Sequence, residues 1–242
     1  MYSITINNRT IKYDIIRTKR KKTIGIQIDP DNGVLIRSPK RVSDQEIEEI
    51  VKNKADWIFR KLEDLAQIKP APAAKDFVNG DKVLYLGRKY ELSIIEDNNL
   101  KYFSLRLVND KIRVFINSDL AEENRREIIR SFLISWYQEQ AERVIKARVS
   151  KYQLQIGKKP NNIRVKNQKK RWGSCSSKGN LNFNWKIIMA PLEIIDYLVV
   201  HELVHLVHPN HSKKFRDKLA SIIPEYKERE EWLRVNQRLL II

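Results

Sequence analysis

All four histidines of this 242-residue chain lie between positions 201 and 211, and their spacing constrains the fold more than any other feature. His201 and His205 are four residues apart, so a helix places both imidazoles on one face, one turn from each other. Glu202 directly follows the first histidine, which gives the pattern H-E-x-x-H. In that pattern the two histidines bind one metal ion and the glutamate acts as a general base. The sequence therefore predicts a metal site on a helix.

A third ligand is expected, because a catalytic zinc site has three protein ligands and one open position. On a continuing helix His208 would lie roughly 10 Å along the axis from His201, since each residue rises about 1.5 Å. Pro209 disfavours helical geometry at the residue before it, so the chain is expected to turn there. We therefore predict that His211 returns to complete the ligand set with His201 and His205.

Two alternatives to this ligand set stay open. A glutamate on the following helix, Glu225 or Glu228, could replace His211 as the third ligand. Cys175 could instead close a structural zinc site, which is usually completed by cysteine or histidine. The glutamate inside the histidine pattern favours a catalytic site over a structural one.

The residues before the histidines predict a buried helix. Pro191 fits a first helical position, and residues 192–200 are apolar almost all round. A helix that is apolar on every side is typical of a protein interior. A cleft must therefore open at its end if the histidines are to meet a substrate.

Several segments together resemble the YgjP-like metallopeptidase family, which is related to the SprT-like zincins. They are residues 171–176, 181–185, 190–191, 197–206 and 210–212, with Phe215. The motif-bearing resemblance covers about residues 160–218, and Arg216 stands where members often carry the second of two aromatic residues. The resemblance implies a zincin-type catalytic domain with His201, His205 and His211 as ligands and Glu202 as base.

The predicted fold class is α+β, in three parts: residues 1–67, residues 76–150 and the catalytic region 151–242. Each of the first two parts has β-hairpins followed by a long helix, and Ser43 with Glu46 forms a capping box. Residues 69–75 contain two prolines and read as an extended linker. The repeated order of strands and helix also suggests a duplication of 1–67 and 76–150.

The catalytic region is predicted to contain a hairpin around a turn at residues 177–179. The resemblance to zincins makes it the candidate edge that pairs with an extended substrate, as exposed strand edges do. Trp172, Gly173, Ser174 and Cys175 are the candidate substrate-binding residues. The alternative is that Trp172 belongs to the core and the serines only form turns.

The charge of the chain is uneven, with a formal net value of +17. Residues 143–192 contain thirteen Lys and Arg and no Asp or Glu. Basic clusters attract nucleic acid or acidic substrates, so nucleic acid is a possible partner through this window. The alternative is a solvated basic surface.

The single cysteine excludes an intramolecular disulfide and suits a reducing cytoplasm. The N-terminus lacks the features of a signal peptide, and no run approaches the roughly 18 apolar residues of a membrane span. We therefore expect a cytoplasmic protein with no membrane partner.

These features predict a zinc peptidase that cleaves peptide bonds of a peptide or protein substrate by a metal-activated water, with Glu202 as the base. Imidazole ligands in an open tetrahedral site favour Zn²⁺. Two other functions stay open: a non-peptidase zinc hydrolase, and a nucleic-acid-binding protein with a structural zinc.

Overall fold

Alternation of apolar and polar residues builds the first sheet, because successive side chains of a strand point to opposite faces. The computed structural model describes residues 1–19, 22–29, 32–100 and 104–242. Ile11, Tyr13, Val34 and Ile36 are buried on the core face of this sheet. Its strands are β1 (Tyr2–Ile6), β2 (Arg9–Thr18), β3 (Gly25–Asp29) and β4 (Gly33–Pro39), in the order β1-β2-β4-β3.

The helical segment after this sheet begins at the predicted capping box and is interrupted once. The Ser43 hydroxyl accepts a hydrogen bond from the Glu46 amide, and the Glu46 carboxylate accepts one from the Ser43 amide. The sequence predicts one long helix here, whereas the structure has α1 (Asp44–Asn53) and α2 (Ala55–Ala66). Lys54 separates them with ψ near 8°, and its amide donates to the carbonyls of both Ile50 and Val51 in the preceding turn. Such a tightened turn interrupts the regular helix.

The second sheet repeats the strand order of the first. Its strands are β5 (Lys82–Tyr85), β6 (Arg88–Glu96), β7 (Ser104–Val108) and β8 (Lys111–Ile116), in the order β5-β6-β8-β7. In both sheets the two central strands are parallel and the outer pairs are antiparallel. If residues 1–67 and 76–150 arose by duplication, their sheets must share this strand order and these directions. The shared order is consistent with a duplication, which stays a prediction.

A single long helix, α3 (Glu122–Ile156), follows the second sheet. It crosses the predicted boundary between residues 150 and 151. The chain divides into two compact units, Met1–Lys69 and Pro70–Ile242, and the predicted three-part division stays a prediction. The buried stripe of α3 recurs every three or four residues: Ile129, Leu133, Tyr137, Ala141, Ile145, Val149, Tyr152 and Ile156.

The third sheet contains β9 (Asn162–Lys166), β10 (Gly173–Cys175) and β11 (Asn180–Asn184), in the order β10-β11-β9. β10 is therefore an edge strand, and it pairs antiparallel with β11 as the predicted hairpin. Helices α4 (Leu192–Val204), α5 (Lys213–Ile222) and α6 (Tyr226–Asn236) complete an α+β fold, as predicted. In the described part of the chain, every helix is too short or too polar to cross a bilayer.

Helix α4 is buried along almost its whole length and is anchored at two places. Asp196 forms a part-buried ion pair with Arg148 of α3 and accepts a hydrogen bond from the Tyr152 hydroxyl at 3.0 Å. Gly87, in the turn between β5 and β6, lies against Pro191 at the start of α4. A Cβ at Gly87 would be 2.7 Å from the Pro191 ring, so only glycine fits there. These contacts fix the helix that carries the predicted metal ligands.

Candidate metal centre and active site

The end of α4 brings three histidines together. His201 lies in its last turn, His205 caps its C-terminus, and a turn through Pro209 returns the chain to the same point. The Nε2 atoms of His201 and His211 are 3.0 Å apart, and one ring nitrogen of each of the three histidines lies within 4.8 Å of the others. The predicted turn after His208 is therefore present, and it brings the three predicted ligands to one point.

The donor set fits a metal ion. Burial lowers the pKa of His201 to about 3, with a further contribution from His205 and His211, and burial also lowers the pKa of His205. Neutral imidazoles are the form that ligates metals. The Nδ1 of His205 lies 3.2 Å from the carbonyl oxygen of His208. With its proton on Nδ1 donated to that carbonyl, His205 keeps Nε2 free as a ligand atom.

Two residues of α5 contact the three histidines. The fully buried ring of Phe215 lies 4.6 to 5.0 Å, centroid to centroid, from the rings of all three histidines. Arg216 donates a hydrogen bond from Nη1 to the carbonyl oxygen of His211 at 2.7 Å. The sequence did not reveal this role of Arg216, because it depends on the turn that brings residue 211 back beside α5.

Glu202 lies next to the histidines with one oxygen unpaired. It is 5% exposed, and its Oε2 has no hydrogen-bond partner among the described residues. Burial raises the pKa of the Glu202 carboxyl to about 8, and the nearby charge of Arg171 opposes part of that rise. A buried carboxyl group with a strongly raised pKa in a cleft is typical of functional sites.

Gly173 on the edge strand allows this position of Glu202. A Cβ built on Gly173 would lie 2.5 Å from Oε1 of Glu202 and 2.7 Å from its Cγ. Real Cβ atoms do not approach other atoms so closely, so any other residue here would displace the carboxylate. Glycine is therefore required at position 173 by the side chain of Glu202, which lies on a different element.

A cavity of about 720 Å³ opens over the histidines and Glu202. Of the predicted substrate-binding residues, Gly173, Ser174 and Cys175 line it. Trp172 lies outside the lining, half-buried against the core. The other lining residues are Lys158, Arg171, Ser176, Ser177, Gly179, Leu206 and Pro209.

The rival ligands lie elsewhere. Glu225 pairs with Arg229, and the group of potential ligands found in the described ranges consists of the three histidines alone. Cys175 lines the cavity but is not part of that group, and burial raises the pKa of its thiol.

The candidate site thus combines three converging imidazoles, a buried glutamate and a cleft bordered by a strand edge, an arrangement that suits metal-dependent hydrolysis. The YgjP-like family, metallopeptidase domain, matches residues 22–236. The chain belongs to this family, and the resemblance seen in the sequence is confirmed.

Two solved structures are similar over part of the chain. The metallopeptidase zymogen abylysin of Pyrococcus abyssi is 20% identical over 40% of this chain and 99% of its own, with a TM-score of 0.36. The zymogen jannalysin of Methanocaldococcus jannaschii is 27% identical over 39% of this chain and 89% of its own, with a TM-score of 0.35. No curated protein matches the chain. Both likenesses are weak, and membership of the family depends on the match over residues 22–236.

We predict that Gly173→Ala retains zinc but loses most hydrolytic activity, because the new methyl group displaces the Glu202 carboxylate. Ser150→Ala, at an exposed position of α3 that does not line the cavity, is the control and should keep both properties. Zinc stoichiometry and initial rates on a cleaved peptide measure the two effects. Full activity in Gly173→Ala would show that the position of Glu202 is not important.

Proposed function

We propose that this protein is a zinc-dependent peptidase that hydrolyses peptide bonds with Glu202 as the general base. The observation that carries the proposal is the unpaired oxygen of buried Glu202 beside three converging imidazoles in an open cavity. Membership of a metallopeptidase family supports the reaction class, and the geometry supports the roles of individual residues.

Zinc is the metal that three imidazoles and one open position favour. His201, His205 and His211 would hold it. When bound, zinc lowers the pKa of a water molecule and polarises the scissile carbonyl. A structural zinc site would need a fourth protein ligand, and the geometric group of potential ligands does not include Cys175.

Glu202 is proposed to move the proton. Its Oε2 takes a proton from the attacking water and passes it to the nitrogen of the leaving amine, so the carboxylate ends in its starting state. Burial keeps the pKa of this group near 8 without a metal, and a cation among the imidazoles would lower it. The carboxylate would then be ionised and able to act as a base at neutral pH.

The free edge of β10 is proposed to bind the substrate backbone. Trp172 and Ser176 are hydrogen-bonded to β11 through Asn184 and Asn180. Since the direction of these bonds alternates along an antiparallel strand, the N–H and C=O groups of Gly173 and Cys175 point away from β11. An extended peptide can pair with them, with its scissile bond near Glu202.

We predict that Glu202→Gln keeps its zinc and cleaves peptides about 10²- to 10⁴-fold more slowly, the usual contribution of a general base. Glu228→Gln, an exposed glutamate and former rival ligand, is the matched control and should retain both zinc and rate. Mass spectrometry of a mixed peptide and unfolded-protein library, with and without DNA, measures cleavage.

Equal cleavage by wild type and Glu202→Gln would contradict the proposed base. If wild type hydrolyses small amides but no peptide, the non-peptidase alternative holds. If it cleaves nothing yet binds DNA, and zinc removal unfolds it, the binding-protein alternative holds.

The edge-strand proposal has its own test. Cys175→Pro removes the N–H that points to the substrate while leaving the β11 hydrogen bonds of its neighbours in place. We expect its kcat/KM on peptides to fall about tenfold, the effect of losing one hydrogen bond of about 1.4 kcal/mol. Cys175→Ala keeps the N–H and should keep the rate. An equal loss in the two variants would assign the effect to the side chain and contradict backbone pairing.

A further inference from the structure

A second cavity, of about 430 Å³, lies beside the catalytic one and is strongly basic. Five of its lining side chains are cationic: Lys169, Lys170, Arg171, Lys186 and Arg238. The lining contains no carboxylate. We call this space the basic cavity.

Three lysines of the basic cavity have no acidic partner. Within the described residues, Lys169, Lys170 and Lys186 form no ion pair with Asp or Glu. The sequence from 143 to 192 also provides no acidic residue to neutralise them. Clustered cations repel one another, so a bound anion lowers the free energy of this arrangement.

The basic cavity and the catalytic cavity share one lining residue. Arg171 lines both spaces, and its charge is close enough to act on Glu202. Residues 169–172 directly precede the edge strand β10. A peptide extended along β10 advances about 3.3 Å per residue, so its residues beyond the position opposite Gly173 run toward Trp172 and Arg171, which line the basic cavity.

We propose that the basic cavity binds acidic side chains of the substrate, on one side of the scissile bond, and so makes this enzyme selective for acidic peptides. This inference rests on the proposed peptidase function. Its position favours a peptide over nucleic acid, because Arg171 and Trp172 of its lining directly precede the strand edge proposed to bind the substrate backbone. Trp172 and Leu240 supply apolar lining of the same space, against which the methylene groups of an acidic side chain can pack.

The test measures binding separately from cleavage. The probes are peptides with one neutral ten-residue core, flanked on either side by three Glu, three Gln or three Lys. Fluorescence anisotropy gives their affinities for zinc-loaded Glu202→Gln, which does not consume them. We expect the peptide with glutamates on one side to bind about tenfold more tightly than its glutamine counterpart, and the preference to weaken with salt.

Charge reversal identifies the cavity. Adding Lys169→Glu and Lys170→Glu should abolish the preference for glutamate and create a preference for lysine, because both cations are exposed and lie at the cavity. Lys89→Glu with Lys227→Glu makes the same change in net charge at exposed positions that do not line the cavity, and should leave the preference unchanged.

Equal affinities for the glutamate and glutamine peptides, or the same change in the control pair, would overturn the inference. The inference would also be overturned if charge reversal abolished the binding of a duplex DNA probe but left the binding of the peptides unchanged. The ratio of kcat/KM for the same peptides in the wild-type background tests the proposed function separately. If no peptide is cleaved but the charge-dependent binding is present, the peptidase proposal alone fails.

Discussion

The contact between Glu202 and Gly173 is the constraint on which the rest of the site depends. Helix α4 is buried on all sides, so the direction of its last turn is fixed by its packing rather than by the site itself. That packing directs His201 and His205 to one point and directs Glu202 toward the edge strand. The strand can receive the carboxylate only because Gly173 has no side chain. A rigid helix end and a strand edge thus form the two sides of one cleft.

Burial also determines the chemistry available in this cleft. The same desolvation that keeps His201 neutral raises the pKa of Glu202, because a low-dielectric surrounding disfavours the charged form of both groups. A neutral imidazole is a good ligand, and a carboxylate with a raised pKa is a stronger base than one in water. The anchors Asp196–Arg148 and Gly87–Pro191 lie outside the site but hold the helix that provides this environment.

Local patterns in the sequence predicted the parts of the structure that depend on neighbouring residues. The spacing of His201 and His205, the break at Pro209 and the capping box at Ser43 each involve a few residues, and the structure contains all three features. The interruption at Lys54 was not predicted, because nothing in its local sequence opposes a continuous helix. The contacts of Arg216 with His211 and of Gly173 with Glu202 were also missed. They join residues on different elements, and only the folded chain brings those elements together.

The central claim is that three histidines hold an open zinc site, and X-ray absorption at the zinc edge of the zinc-loaded protein tests it most directly. The account predicts three imidazole nitrogens at about 2.0–2.1 Å, with one further oxygen or nitrogen ligand and no sulfur. A sulfur scatterer at about 2.3 Å would bring Cys175 onto the metal and make the site a closed structural one. That result would contradict the proposed catalysis.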